Sequence, residues 1–142
     1  MIGTPSGLVF LPLGGSGEIG MNLNLYGYDG QWILVDVGVS FGDETMPGID
    51  VFMADPAFIA ERRKDLLGIV LTHAHEDHLG AIPYLWPLLG GPVYATPFAA
   101  AMLRTKLDEA KLLDRIVVHE VPQGGRIKLG PFTIDLVTVT HS

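Results

Sequence analysis

The sequence predicts an α/β fold: a sheet covered by helices on one face, which is half of a layered sandwich. Three observations carry this prediction. Up to residue 37 the apolar stretches alternate with a period of two and meet at a hairpin signal, Asp29-Gly30. Helical patterns enter later, near 56–64, 78–89 and 97–113, each followed by a short apolar run that reads as a strand. The 142 residues, 48% apolar and 18% charged, are enough to bury the core of one domain.

Residues 8–13 (LVFLPL) are the first strand and end in the glycine-rich turn Gly14-Gly15-Ser16-Gly17. Residues 23–28 and 31–37 are two strands around the Asp-Gly turn. Residues 38–50 read as an irregular loop carrying Asp43, Glu44 and Asp50. After a short helix near 56–64, a buried strand, Gly68–Thr72, runs directly into a histidine cluster. The helix over 78–89 contains Pro83 and Pro87, whose missing amide N–H groups imply a kinked or two-part helix. Pro92–Ala95 is a short strand, and 97–113 is an amphipathic helix with Ala, Met and Leu on one face. Strands near 115–121, 125–129 and 131–140 follow. The last apolar run reaches Thr140-His141-Ser142 without a polar tail, and natural domains seldom end inside a core strand. We therefore expect residues 1–142 to be the N-terminal portion of a larger domain, with the second face of the sheet left uncovered in this portion.

The charge balance is acidic, −7, and Arg62-Arg63-Lys64 is the one basic cluster. That argues against a passive nucleic-acid-binding module, which needs a basic surface. It argues much less against an enzyme that holds phosphate through divalent cations, because bound metals invert the local electrostatics. With no cysteine there is no disulfide and no thiolate metal site, and the cytoplasm is the expected compartment. No apolar run reaches the roughly 18–20 residues of a membrane span, so no membrane partner is expected.

The stretch His73-Ala74-His75-Glu76-Asp77-His78 carries the chemistry. On extended chain leaving a strand, residues i and i+2 point the same way, so His73 and His75 can converge on one cation. Asp77 and His78 follow as the chain turns into a helix and can reach a second cation. Imidazole and carboxylate are what zinc, manganese or iron accept where thiolate is absent. Two such cations a few Å apart can activate water at neutral pH and hold both oxygens of a displacement. Three of the chain's five histidines fall in these six residues, which weighs against an incidental polar loop with Asp77 as a plain helix cap.

His141 ends the apolar run Phe132–Thr140 and is either the third ligand of the first cation or a solvated histidine; spacing leaves both open. His119, in Val117-Val118-His119-Glu120, has no partner pattern and reads as a surface strand position. Asp36 ends a buried strand, where it either braces the histidine segment from behind or caps a turn. Gly15-Ser16-Gly17-Glu18-Ile19-Gly20 matches the dinucleotide fingerprint G-x-G-x-x-G letter for letter. That fingerprint needs a helix opening at its last glycine, and here a strand follows, so no nucleotide site is expected.

Beyond these readings, L-T-H-A-H-E-D-H resembles the H-x-H-x-D-H signature of the metallo-β-lactamase superfamily, whose fold is an αββα sandwich. L-P-L-G-G-S-G-E-I-G-M-N at 11–22, V-D-V-G at 35–38, G-I-D at 48–50, L-T-H-A-H-E-D-H-L-G-A-I-P-Y-L at 71–85 and T-H-S at 140–142 narrow the resemblance to the bacterial β-CASP ribonucleases. The resemblance spans almost the whole chain. It implies zinc, two per full-length subunit, with manganese as the alternative. His73, His75 and His141 would hold one metal, and Asp77 and His78 the other. The bridging aspartate and the last histidine would lie beyond residue 142, with the β-CASP domain that grips RNA. Asp36 would be the superfamily's structural aspartate, and Gly48 and Asp50 the place of a structural calcium. The implied partner is RNA, and the full-length protein is expected to be a homo-oligomer.

The function expected is a two-metal ribonuclease acting as a 5′–3′ exonuclease and an endonuclease, in mRNA decay and RNA processing, with this portion inactive alone. The competing readings are another hydrolase on the same fold, acting on thioesters or lactams, and a non-catalytic metal-binding fragment.

Overall fold

In the computed structural model, residues 7–14, 22–41, 51–72 and 79–137 are described. A six-stranded mixed sheet is built from β1 (Val9–Gly14), β2 (Leu23–Tyr28), β3 (Gln31–Val37), β6 (Leu66–Val70), β7 (Val93–Ala95) and β8 (Val118–Glu120), in that spatial order. The first three strands pair antiparallel, and β3, β6, β7 and β8 run parallel. The β2–β3 hairpin turns at Asp29 and Gly30 with positive φ at both, 52° and 76°, the backbone an Asp-Gly turn supplies. Its strands have the limits expected from the sequence.

The parallel crossovers carry helices α1 (Ala57–Ala60), α2 (Ile82–Leu89) and α3 (Pro97–Glu109). They cover one face of the sheet. Leu23 and Leu25 of β2, Leu34 and Val37 of β3, Ile69 of β6 and Val93 of β7 are buried there against Ile59, Ile82, Leu85, Leu103 and Leu107. Each such fully buried aliphatic side chain contributes about 1.5–3 kcal/mol. In α2, Pro83 lies in the first turn, where its missing N–H is no loss, and Pro87 is accommodated inside the helix. Helix α3 starts at the N-cap Thr96, whose hydroxyl accepts from the Ala99 amide, with Pro97 at its first position. Arg104 of α3 reaches the edge strand β8, pairing with Glu120 at 2.6 Å and donating to the Val118 carbonyl. Among the described residues no helix is long and apolar enough to cross a membrane.

Three expectations need correction. Within 38–50, residues Val39–Phe41 are not irregular: they form β4, antiparallel to β5 (Val51–Met53). Strands of three residues are too short to show a period. The second sheet face is also not bare. β9 (Arg126–Leu129) and β10 (Phe132–Asp135) form a separate hairpin that buries Ile127, Leu129 and Phe132 against Ile33 and Val70. This is the alternate side of the strands that face the helices, as a pleat of period two requires. On the same face of β1 and β2, Tyr26 packs against this cluster, while Phe10 and Tyr28 are exposed. The run read as one strand over 131–140 ends as a strand at Asp135.

Candidate metal centre

The carboxyl ends of β3, β6, β7 and β8 form one edge of the sheet, where open α/β sheets gather their ligands. β1 also ends there, at Gly14, opposite Leu23 at the start of β2. Thr72 and Ala81 both lie at this edge, bonded to Asp36 and Val37 at the end of β3.

Asp36 is the buried charged side chain of the described core, 4% exposed. In the β2–β3 ladder Leu23 faces Val37 and Asn24 faces Val35, so Asp36 is an extra residue on β3, a bulge. Its φ is +65°, a left-handed conformation that Asp tolerates better than most residues. A bulge re-aims a side chain. Here the carboxylate meets Thr72: Oδ1 accepts from the Thr72 amide at 2.7 Å and Oδ2 from the Thr72 hydroxyl at 2.7 Å. A buried carboxylate needs such donors, because leaving water unpaired is costly. One residue further along β3, the Val37 carbonyl accepts from the Ala81 amide at 2.9 Å, and the Gly38 amide donates to the Asn22 carbonyl at 2.8 Å. The last residues of β3 thus hold the chain on both sides of 73–80.

His73, His75, Asp77 and His78 lie outside the described residues, as do His141, Gly48 and Asp50. Among the described residues no three His, Asp or Glu side chains come together as a metal site. The imidazoles and carboxylate of 73–78 are suited to a borderline divalent cation. Asp36 contacts Thr72, the residue that precedes His73 in the chain. Sequence reasoning does not single out Thr72; its one signal is a hydroxyl residue immediately ahead of His73.

Gly15–Gly20 also lie outside the described residues, but their flanks decide the topology. Gly14 and Leu23 are partners in an antiparallel ladder, whereas a dinucleotide fingerprint joins parallel strands through a helix. The segment bearing Gly48 and Asp50 is flanked by Phe41 and Val51, partners in the β4–β5 ladder. His119 is exposed on the edge strand β8, its ring stacked on Tyr94 at 4.7 Å, in keeping with a surface position.

Residues 21–142 match the metallo-beta-lactamase superfamily. Ribonuclease J of Sinorhizobium meliloti is 53% identical over 139 residues, covering 95% of this chain and 25% of the relative. Ribonuclease J of Synechocystis is 38% identical over 137 residues, covering 95% of this chain and 21% of the relative. The chain thus spans about a quarter of the length of these curated relatives. Among solved structures, a B3 metallo-beta-lactamase with an active-site glutamic acid superposes with a TM-score of 0.56 at 22% identity, covering 89% of this chain and 47% of that one. This last likeness is one of fold and brings no substrate with it.

Proposed function

The chain belongs to the metallo-β-lactamase superfamily, and on that premise we propose that it is part of a two-metal ribonuclease that hydrolyses RNA phosphodiesters from the 5′ end and internally. The observation that carries this reading is the 53% identity to ribonuclease J of Sinorhizobium meliloti over nearly the whole chain. The chemistry of the residues supports it. His73, His75 and His141 would hold one divalent cation, and Asp77 with His78 the other. Paired cations of this kind, zinc or manganese, supply Lewis acidity and activate water for attack on a phosphodiester. The buried Asp36 carboxylate and the Val37 carbonyl hold the chain on either side of the ligand segment. Substrate capture needs a basic surface elsewhere in the longer protein, because a portion of net charge −7 repels RNA. Gly48 and Asp50, with Asp43 and Glu44 nearby in sequence, are the proposed place for a structural calcium.

The test is His75→Ala in the full-length protein, assayed on 5′-monophosphorylated RNA with bound metal measured alongside. Cleavage should fall to background while the far-UV spectrum is kept. A variant that has lost its metal and still cleaves at the wild-type rate would overturn the proposal.

A further inference from the structure

Past the Val35–Val70 pair, β3 and β6 are no longer joined backbone to backbone in their ladder. The Leu71 amide continues the pairing with the β7 side that Ile69 begins, donating to the Tyr94 carbonyl at 2.9 Å. At the next residue a side chain takes over. Thr72 gives its amide to one oxygen of Asp36 and its hydroxyl to the other, both at 2.7 Å. A single hydrogen bond leaves rotation about its axis. Two bonds to the two oxygens of one planar acceptor fix both the backbone and the χ1 of the donor residue. The acceptor is itself fixed, because Asp36 is held in its bulge between the Leu23–Val37 and Asn24–Val35 pairs. Bonds to a charged acceptor are also about twice as strong as neutral ones. His73 is the next residue in the chain.

We propose that Thr72 is a positioning residue for the metal centre, whose hydroxyl, bonded to Asp36, sets the direction in which the chain enters His73. This rests on the assignment of His73 and its neighbours as metal ligands. A metal–nitrogen bond tolerates errors of only about 0.2 Å, so the orientation of the residue ahead of a ligand feeds directly into affinity. Threonine suits the task for two reasons. Its hydroxyl supplies the donor, and its branched Cβ restricts χ1.

The test uses the full-length protein with Thr72→Val, which keeps the shape and removes the donor, and Thr72→Ser, which keeps the donor. Zinc affinity is measured by competition with a chromophoric chelator, and thermal melting of the metal-free forms is recorded beside it. Thr72→Val should bind zinc about 10–100-fold more weakly, the range found when the groups that orient ligands are removed. Thr72→Ser should stay close to wild type. In an Asp36→Asn background, Thr72→Val should add little further loss, because the two residues act as one unit. A merely structural role would lower the melting temperature of the metal-free protein and leave the affinity of the folded protein unchanged; that result overturns the inference. Should Thr72→Val fail to fold, Thr72→Ala carries the same comparison. Wild-type protein that takes up no zinc, indistinguishable from His75→Ala, would overturn the metal-centre assignment and this inference with it. Wild-type uptake matched by Thr72→Val overturns this inference alone.

Discussion

The Ala81 amide donates to the Val37 carbonyl at 2.9 Å, one residue along β3 from the carboxylate that holds Thr72. Consecutive residues of one central strand therefore fasten the chain on both sides of the histidine segment. One fastening is a backbone bond that any residue could make. The other depends on the Asp36 side chain and on a backbone bulge that aims it.

That dependence makes Asp36 sensitive to substitution. Asp36→Ala removes two hydrogen bonds to a charged group and leaves, at φ +65°, a residue without the polar side chain that eases this conformation. The expected loss is about 3–5 kcal/mol. Asp36→Asn keeps one acceptor and the tolerance for left-handed backbone, and should lose clearly less. Urea denaturation of the metal-free protein measures both. Equal losses would mean that the carboxylate contributes no more than its backbone conformation does.

Gly27 lies directly across the hairpin from Trp32, and a Cβ there would sit 2.6 Å from the indole ring. The ring has little room to retreat, since it meets Phe58 edge-on at 5.3 Å. Gly27→Ala should therefore destabilise by about 1–3 kcal/mol, as overpacking does. Tryptophan emission should shift as Trp32 moves, while Trp86, which donates to the Gly91 carbonyl, provides a constant background. Unchanged stability and emission would count against the packing described.

Helix α3 closes with a Schellman motif: the Leu112 amide donates to the Leu107 carbonyl, and the Lys111 amide to that of Asp108. Lys111 occupies the left-handed position at φ +60°, where glycine is the usual residue. Lys111→Gly should stabilise the protein by about 1 kcal/mol, the steric penalty of a side chain in that region. A rise of a few degrees in melting temperature is the signature. A fall would indicate that the lysine side chain contributes contacts that outweigh its backbone strain.

Arg126 and Asp135 face each other across the β9–β10 hairpin at 2.6 Å. The hydrogen bond from the guanidinium, opposed by desolvation and aided to a lesser degree by its charge, holds the Asp135 carboxyl below the ordinary aspartate value. A folded-state value that is lowered means stability present above the unfolded pKa, about 3.9, and lost as pH falls through the folded one. Asp135→Asn should be slightly less stable than wild type at neutral pH, with the gap closing below about pH 4. Because both groups are exposed, added salt should narrow the gap too. Acid and salt titrations of the two proteins check this, and a gap that widens on acidification contradicts it.

Some of this molecule is written locally and some is not. The limits of β2 and β3 follow from alternating apolar residues and an Asp-Gly turn, all within a few residues of one another. The histidine segment stands out by residue type alone, since three histidines and an aspartate in six positions have few other uses. The end of α3 is less legible: the apolar pattern runs on to Leu112 and Leu113, but Lys111 turns left-handed and stops the helix early. The three-residue strands β4 and β5 carry no period to detect. The place of β9 and β10 on the second face, against Ile33 and Val70, is chosen only when distant strands have formed the sheet they pack on. The Asp36–Thr72 contact joins residues thirty-six apart in the chain. It needs the β2–β3 ladder to create the bulge and the parallel β3–β6 pairing to bring Thr72 alongside. The residue types that can bind metal are therefore a property of the sequence, whereas the carboxylate that braces the chain beside them is a product of tertiary pairing.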